Sequence, residues 1–292
     1  MQTSIDRIWN DLEWLASCPR FAETERLEEC RSYCERSLSE SGWQVNRVHF
    51  QSRGKDRLWQ GVNLVCPRQT ADKPVLIIGA HLDSREETPG ADDNASAVAV
   101  LLECARLFSS WPADAAVGLE LVVFDLEELG MLGGEHHAVL CRQNDRDVAG
   151  MVSLEMLGYC SHEPGSQQFP PEIADRYPSV GNFIGIVGNQ NSGAMIDSFV
   201  TAFGTVPALR TESLQVPENG HLFPPTRLSD HSPFWDHGYP ALMVTDTSWM
   251  RNPHYHEPSD TPETLDREFL HKVAEGVVAA IDAAARTRNA FR

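Results

Sequence analysis

Two stretches, VLIIGA (75–80) and LELVVFD (119–125), carry almost no polar residues and no polar–apolar alternation. A strand of that kind has no face to offer to water, so it is buried on both sides, as in parallel sheets roofed by helices. WQGVNLVCP (59–67), VAGMVSLEML (148–157), FIGIVGN (183–189) and YPALMVTD (239–246) extend the series. Between them, apolar residues recur at helical spacing in 4–17, 24–41 and 94–108, from MLGGEHHAVLCRQ (131–143), around 192–204, and from Pro262 to Ala285. Strands separated by helices predict an α/β fold: a mostly parallel central sheet with helices on both faces. The stretches 158–181 and 205–232 are rich in Pro, Gly and polar residues and lack periodicity, so they are expected as long loops, which often line binding sites. No repeat or linker divides the 292 residues, and the reading is one domain over 1–292.

The polar residues fall where that architecture binds ligands, outside the carboxyl ends of the strands. VLIIGA runs into HLDS, with His81 and Asp83 at the strand edge, and PGADDN then sets Asp92 and Asp93 directly before a helix. LELVVFD runs into Glu127 and Glu128, and Glu155 stands at the end of a later strand. NPHYHEPSDT places His254 and His256 after the last strand. Taken singly, each has an ordinary explanation: a helix cap for Asp92 or Asp93, a solvated helix start for the glutamate pair, a loop residue for His256. Together they require five unrelated reasons for charges beside buried strands. Imidazoles and carboxylates converging on one sheet edge are suited to Zn²⁺, and two such ions would clamp the attacking and the developing oxygens of a displacement.

The set resembles the M28 family of co-catalytic zinc aminopeptidases. The resemblance rests on AHLDS (80–84), PGADDNAS (89–96), EELGMLGG (127–134), SLEMLGY (153–159) and NPHYHEPSDT (252–261), in family order from about residue 60 to the C-terminus. It implies the zinc-peptidase (phosphorylase/hydrolase-like) architecture and two Zn²⁺ per chain. His81 and Glu155 would hold one ion, Glu128 and His256 the other, and Asp93 would bridge them. It further implies Glu127 as general base, Asp83 as the residue orienting the His81 imidazole, and a cis peptide between Asp93 and Asn94. The activity implied is release of N-terminal residues from peptides with a free N-terminus. Two other readings stay open: the glutaminyl-peptide cyclotransferase branch of the same fold, and a non-catalytic metal-binding or structural protein.

In DHSPFWDHGYPALM (230–243), which is similar to the family's region beside the substrate, Phe234, Trp235 and Tyr239 line a side-chain pocket or simply pack in the core. Arg251 either meets an acidic substrate side chain or lies on the surface. The consecutive Ser229, Asp230 and His231 cannot adopt the geometry of a hydrolytic triad. Glycines 130, 133 and 134 serve either approach to the metals or helix–sheet packing. A formal net charge of −18 speaks against nucleic-acid or anionic-membrane partners. The seven scattered cysteines do not read as a disulfide framework, although Cys30 and Cys34 lie one helical turn apart. No basic region followed by an apolar run opens the chain, so a cytoplasmic location is expected.

Overall fold

The computed structural model describes residues 1–54, 57–68 and 72–287. In chain order the elements are α1 (Ile5–Leu15), α2 (Glu25–Glu40), β1 (Asn46–Arg53), β2 (Leu58–Arg68), β3 (Val75–His81), α3 (Ala97–Leu107), β4 (Gly118–Phe124) and α4 (Leu132–Gln143). They continue as β5 (Val148–Glu155), α5 (Pro171–Ala174), β6 (Phe183–Asn189), α6 (Gly193–Phe203), β7 (Arg210–Val216), α7 (His231–Asp236), β8 (Ala241–Thr245) and α8 (Arg267–Arg286). The eight strands form one sheet in the order β1-β2-β4-β3-β5-β8-β6-β7. The centre, β4-β3-β5-β8, is parallel, as is the β6-β7 pair. The β1-β2, β2-β4 and β8-β6 pairings are antiparallel. Strands β3, β4 and β6 are buried along their whole length, as their uninterrupted apolar character predicts.

The two faces are unequally covered. One packs against α1, α2, α3, α6 and α8 through a core that includes Leu76, Ile78, Val152, Leu154, Ile186, Leu242 and Val244. The other carries Ile77, Met151, Val187 and Met243 and is covered chiefly by α4 and α7. Helix α4 lies on β1 and β2, and α7 on β5 and β8. Over β6 and β7 this second face is roofed by loops and the short α5, and there a cleft opens.

Two strands lie outside the predicted series. NRVHFQSR (β1) and RTESLQV (β7) form the two edges of the sheet, where one face and one rim stay wet, so few apolar residues are needed. β7 falls inside the stretch 205–232 read as loop. Helix α8 starts at Arg267 rather than Pro262. Leu265 is extended (φ −92°, ψ 151°), and the Asp266 side chain caps the helix by accepting the Phe269 N–H at 2.9 Å. Cys30 and Cys34 are buried free thiols. Among the described residues no helix is long and apolar enough to cross a membrane.

Candidate active site

β3, β4 and β5 end side by side, and the chain turns sharply after each. His81 is the last residue of β3. Leu126 takes a left-handed conformation (φ 59°) just past β4, directing Glu127 and Glu128 inward, and Met156 (φ 51°) does the same after Glu155 on β5. The segment Ala91–Ser96 is a wide helical turn broken at Asp93 (φ −102°, ψ 85°), and the Asp93–Asn94 peptide is cis. Gly90 (φ 64°) precedes it, and any side chain there would collide, because a Cβ would lie 2.3 Å from the Asp93 carbonyl oxygen.

These turns bring five side chains into two overlapping triads, His81/Asp93/Glu155 and Asp93/Glu128/His256, each with donor atoms within 4.8 Å of one another. His81 Nε2 lies 3.2 Å from Asp93 Oδ1 and 3.5 Å from Glu155 Oε2. His256 Nε2 lies 3.1 Å from Asp93 Oδ2 and 3.3 Å from Glu128 Oε2. Asp93 thus offers one oxygen to each triad. Glu127 belongs to neither, its Oε2 standing 4.0 Å from His81 Nε2. His254 lies apart, bonded to Ser259 Oγ at 2.9 Å.

The supporting bonds are mostly backbone ones. Asp83 accepts the N–H groups of Glu127 and Glu128 on its two carboxylate oxygens, at 3.0 and 3.1 Å. Its carboxylate is 3.6 Å from His81 Nδ1, and the nearer partner of that nitrogen is the Asp83 carbonyl oxygen at 3.1 Å. Asp83 therefore anchors the glutamate loop with its side chain and meets the imidazole more closely with its backbone. Asp260, within the PSDT stretch, does the same for the aspartate pair by accepting the N–H groups of Asp92 and Asp93. Asn94 donates to the Leu154 carbonyl and accepts from the Met156 N–H, tying the broken turn to the end of β5. Arg20, fully buried, donates to the carbonyls of Leu82, Pro89 and Gly90. Sequence reasoning passed over Asp260 and Arg20, and gave Asn94 a place only in the cis peptide. Asp260 and Asn94 sit inside quoted motifs, whereas Arg20 carries no local signal.

Carboxylates dominate this volume. Burial, then repulsion from Asp93, pushes Glu128 up to about 7. Glu127 is raised well above the carboxylate range by burial, with Glu155, Asp230 and Glu128 adding to it. Asp93 alone is held below the usual range, because hydrogen bonds from His256 and His81 outweigh its burial. His81 Nε2 and Glu128 Oε1 are buried without a hydrogen-bond partner. Buried donors without partners, all nitrogen and oxygen, with negative charge in excess, fit two divalent ions of the zinc type. The five residues expected to hold Zn²⁺ are those the fold brings together.

Other expectations fare differently. Ser229 donates to Glu155 Oε2 at 2.7 Å, steadying that carboxylate. Asp230 accepts the Gly134 N–H, and His231 meets the Thr226 carbonyl, so the three consecutive residues form no triad. Gly134 is needed for packing, since a Cβ would stand 2.4 Å from Asp230 Oδ1. Phe234, Trp235 and Tyr239 do not line the cleft. They are buried in the core beneath α7, with the Phe234 ring tilted against those of His137 and Tyr239 and the Trp235 indole N–H bonded to the Ala241 carbonyl. A six-residue helix packed on the sheet turns these rings inward. Arg251 is neither free nor on the surface: it is buried over the Phe183 ring and donates to Gln167 and the Phe183 carbonyl.

The cleft, about 740 Å³ with its mouth, begins at Glu155 and runs over β8, β6 and β7. Phe169, Ile173 and Tyr177 from the first long connection, and Phe223, Pro225 and Leu228 from the second, form its walls. Trp249 and Tyr255 complete it near the triads, and the Tyr255 ring stacks on His256 at 3.7 Å.

Residues 63–281 match the family model described as Peptidase family M28. The chain is 34% identical over 297 residues to the uncharacterized protein YfbL of Escherichia coli K12, covering 91% of this chain and 90% of that one. Two further curated relatives, named as aminopeptidases, are spanned over only 61% and 42% of their length. Among solved structures, BSAP, a zinc aminopeptidase from Bacillus subtilis, superposes with TM-score 0.75 at 16% identity, covering 98% of this chain and 96% of that one. Porphyromonas gingivalis glutaminyl cyclase superposes with TM-score 0.73 at 18% identity, covering 96% and 98%. At such identities the likeness speaks for the fold.

Proposed function

The chain belongs to peptidase family M28, and from that premise we propose that it is a dizinc aminopeptidase acting on peptides with a free N-terminus. The observation that carries this reading is the pair of triads sharing Asp93, with Glu127 beside His81 and inside neither. His81, Asp93 and Glu155 would hold one ion, and Asp93, Glu128 and His256 the other. When bound, the two ions supply Lewis acidity for the scissile carbonyl and for the attacking water.

The protein's own groups do the rest. Glu127 accepts a proton from the attacking water on its carboxylate and delivers it to the departing amine. Its carboxylate stands 4.0 Å from the His81 imidazole without belonging to either triad, a position from which it can both take up and release a proton. Asp83 holds the N–H groups of the glutamate pair and so fixes where both carboxylates point. The acidic surround suits a substrate α-ammonium group, and the cleft beyond Glu155 takes the N-terminal side chain.

The test is turnover by the zinc-loaded protein of unblocked and N-acetylated aminoacyl amides and of a peptide beginning with glutamine, with products identified by mass. Hydrolysis confined to unblocked substrates is the expected result. A glutamine peptide lighter only by ammonia would replace this reading with the cyclase one.

A further inference from the structure

Strand register lays out the cleft floor. Glu155 on β5 pairs with Thr245 on β8, Thr245 with Gly185 on β6, and Gly185 with Glu212 on β7. Residues opposite one another in neighbouring strands project from the same face, so these four form one row across the sheet. Three strand spacings separate its ends, roughly 14 Å between the Glu155 and Glu212 Cα atoms. Ser153, Met243, Val187 and Leu214 form a parallel row beside it. The row has a carboxylate at each end: one belongs to the metal triads, and the other does not.

Gly185 leaves the middle of the row without a side chain. A Cβ there would stand 3.2 Å from the Thr245 carbonyl and 3.7 Å from two threonine methyls, so the groove stays open down to the backbone. Phe169, Phe183, Met243 and Trp249 make the remainder apolar. Glu212 is half-buried and lines the cleft; among the described residues it makes no hydrogen bond or short ion pair, and the cation nearest to it in effect is Arg210, two residues away on the same strand. Tyr177, the other polar-tipped residue of this wall, has its hydroxyl committed to the Ser213 carbonyl at 2.9 Å.

An apolar trough that ends in a carboxylate with no hydrogen bond or short ion pair of its own suits a side chain with an apolar stem and a cationic tip, the form of Lys and Arg. A shorter aliphatic side chain would fill the trough yet leave Glu212 further desolvated without a hydrogen-bonding partner. An acidic one would meet like charge. Resting on the aminopeptidase reading above, we propose that Glu212 terminates the subsite for the substrate's N-terminal side chain and selects lysine and arginine there. The stem lies over Thr245 and Gly185 between the aromatic walls, and the ammonium or guanidinium group meets the Glu212 carboxylate.

The experiment compares kcat/KM for arginyl, lysyl, norleucyl and glutamyl nitroanilides in the zinc-loaded wild type, Glu212→Gln and Glu212→Asp. The wild type is expected to favour arginine over norleucine by at least about tenfold, the scale of one charge-assisted hydrogen bond. That ratio should collapse toward one in Glu212→Gln and return in part in Glu212→Asp. An arginine-to-norleucine ratio that is the same in wild type and Glu212→Gln overturns the proposal. Should no nitroanilide be cleaved, the aminopeptidase reading fails separately, and calorimetric binding of argininamide against norleucinamide still decides. A preference that disappears in Glu212→Gln supports the subsite; equal binding by the wild type overturns it. Metal content and thermal unfolding of each variant confirm that the fold is intact.

Discussion

Buried carboxylates occur in two regions of this sheet, and the protein treats them in opposite ways. Glu120 on β4 is 2% exposed and is met by His137 at 2.9 Å and by Arg146 at 2.9 and 3.0 Å. Against its burial, these partners hold it down to about 2. At the ends of β3, β4 and β5 the acids outnumber their partners. Asp230 is pushed up to about 8, by burial and then by Asp83 and Glu155. Glu128 stands at about 7: Arg85 meets its Oε2 at 2.8 Å, yet its Oε1 has no partner. A buried charge is costly unless paired. The first region shows that this fold can supply the pairing from its own side chains. In the second, the balance is left to cations from outside, which is the physical case for a metal centre there.

Removing the ions is the most direct way to break that comparison. A ligand that binds only the folded state adds about 4 kcal/mol per site at a concentration a thousandfold above its Kd. Zinc-loaded protein should therefore melt well above chelator-treated protein, and a His137→Gln variant should show the same zinc-dependent gap. Coincident melting curves with and without zinc would remove the distinction between the two regions.

The Glu127→Gln variant sharpens the division of labour inside the centre. It should keep two ions per chain by elemental analysis while kcat falls by about 10²–10⁴, the usual worth of a positioned general base. Full activity in the loaded variant would sink the base assignment.

Phe234→Ala tests the compensated side. Its ring packs between His137 and Tyr239, so truncation should cost about 3–5 kcal/mol in urea unfolding. Metal stoichiometry and the ranking of substrates should be unchanged. A changed ranking would return Phe234 to the substrate pocket.

The smallest effect is a pH dependence. Burial lowers the His137 pKa, but its hydrogen bonds to Cys141 and Glu120 outweigh this and push it up to about 9 from an ordinary 6.5. Its contribution to stability is therefore complete below about pH 6.5 and is lost as pH rises through about 9. Glu120, lowered from 4.5 to about 2, contributes fully above pH 4.5 and loses that contribution as pH falls through about 2. The stability gap between wild type and His137→Gln should be largest between these limits and shrink by about 3 kcal/mol or less between pH 6 and pH 9.5. A gap constant over that range would show that His137 is not held in its charged form.

Much of the architecture was legible because burial on both faces leaves an unmistakable local pattern. The stretches around β2, β3, β4, β5, β6 and β8 carry it; His81, Glu127, Glu128 and Glu155 stand where such runs end, whereas Asp93 and His256 are reached through the motifs that resemble the family. The edge strands β1 and β7 do not carry the pattern, since their alternation is weak and their polar residues are those of any loop. The aromatic residues at 234, 235 and 239 mislead for a related reason. A ring beside a site motif carries no information about which side of a short helix it occupies.

The sequence by itself determined the sheet's buried strands, whose apolar runs are a local pattern, and its motifs carried the resemblance that implied the five donors. Only the tertiary structure decided what lies beyond Glu155. Strand order β5-β8-β6-β7 sets Thr245, Gly185 and Glu212 in one row, though they are tens of residues apart in the chain. That alignment comes from long-range pairing and from the two helices that leave this part of the sheet uncovered, and no local pattern encodes either.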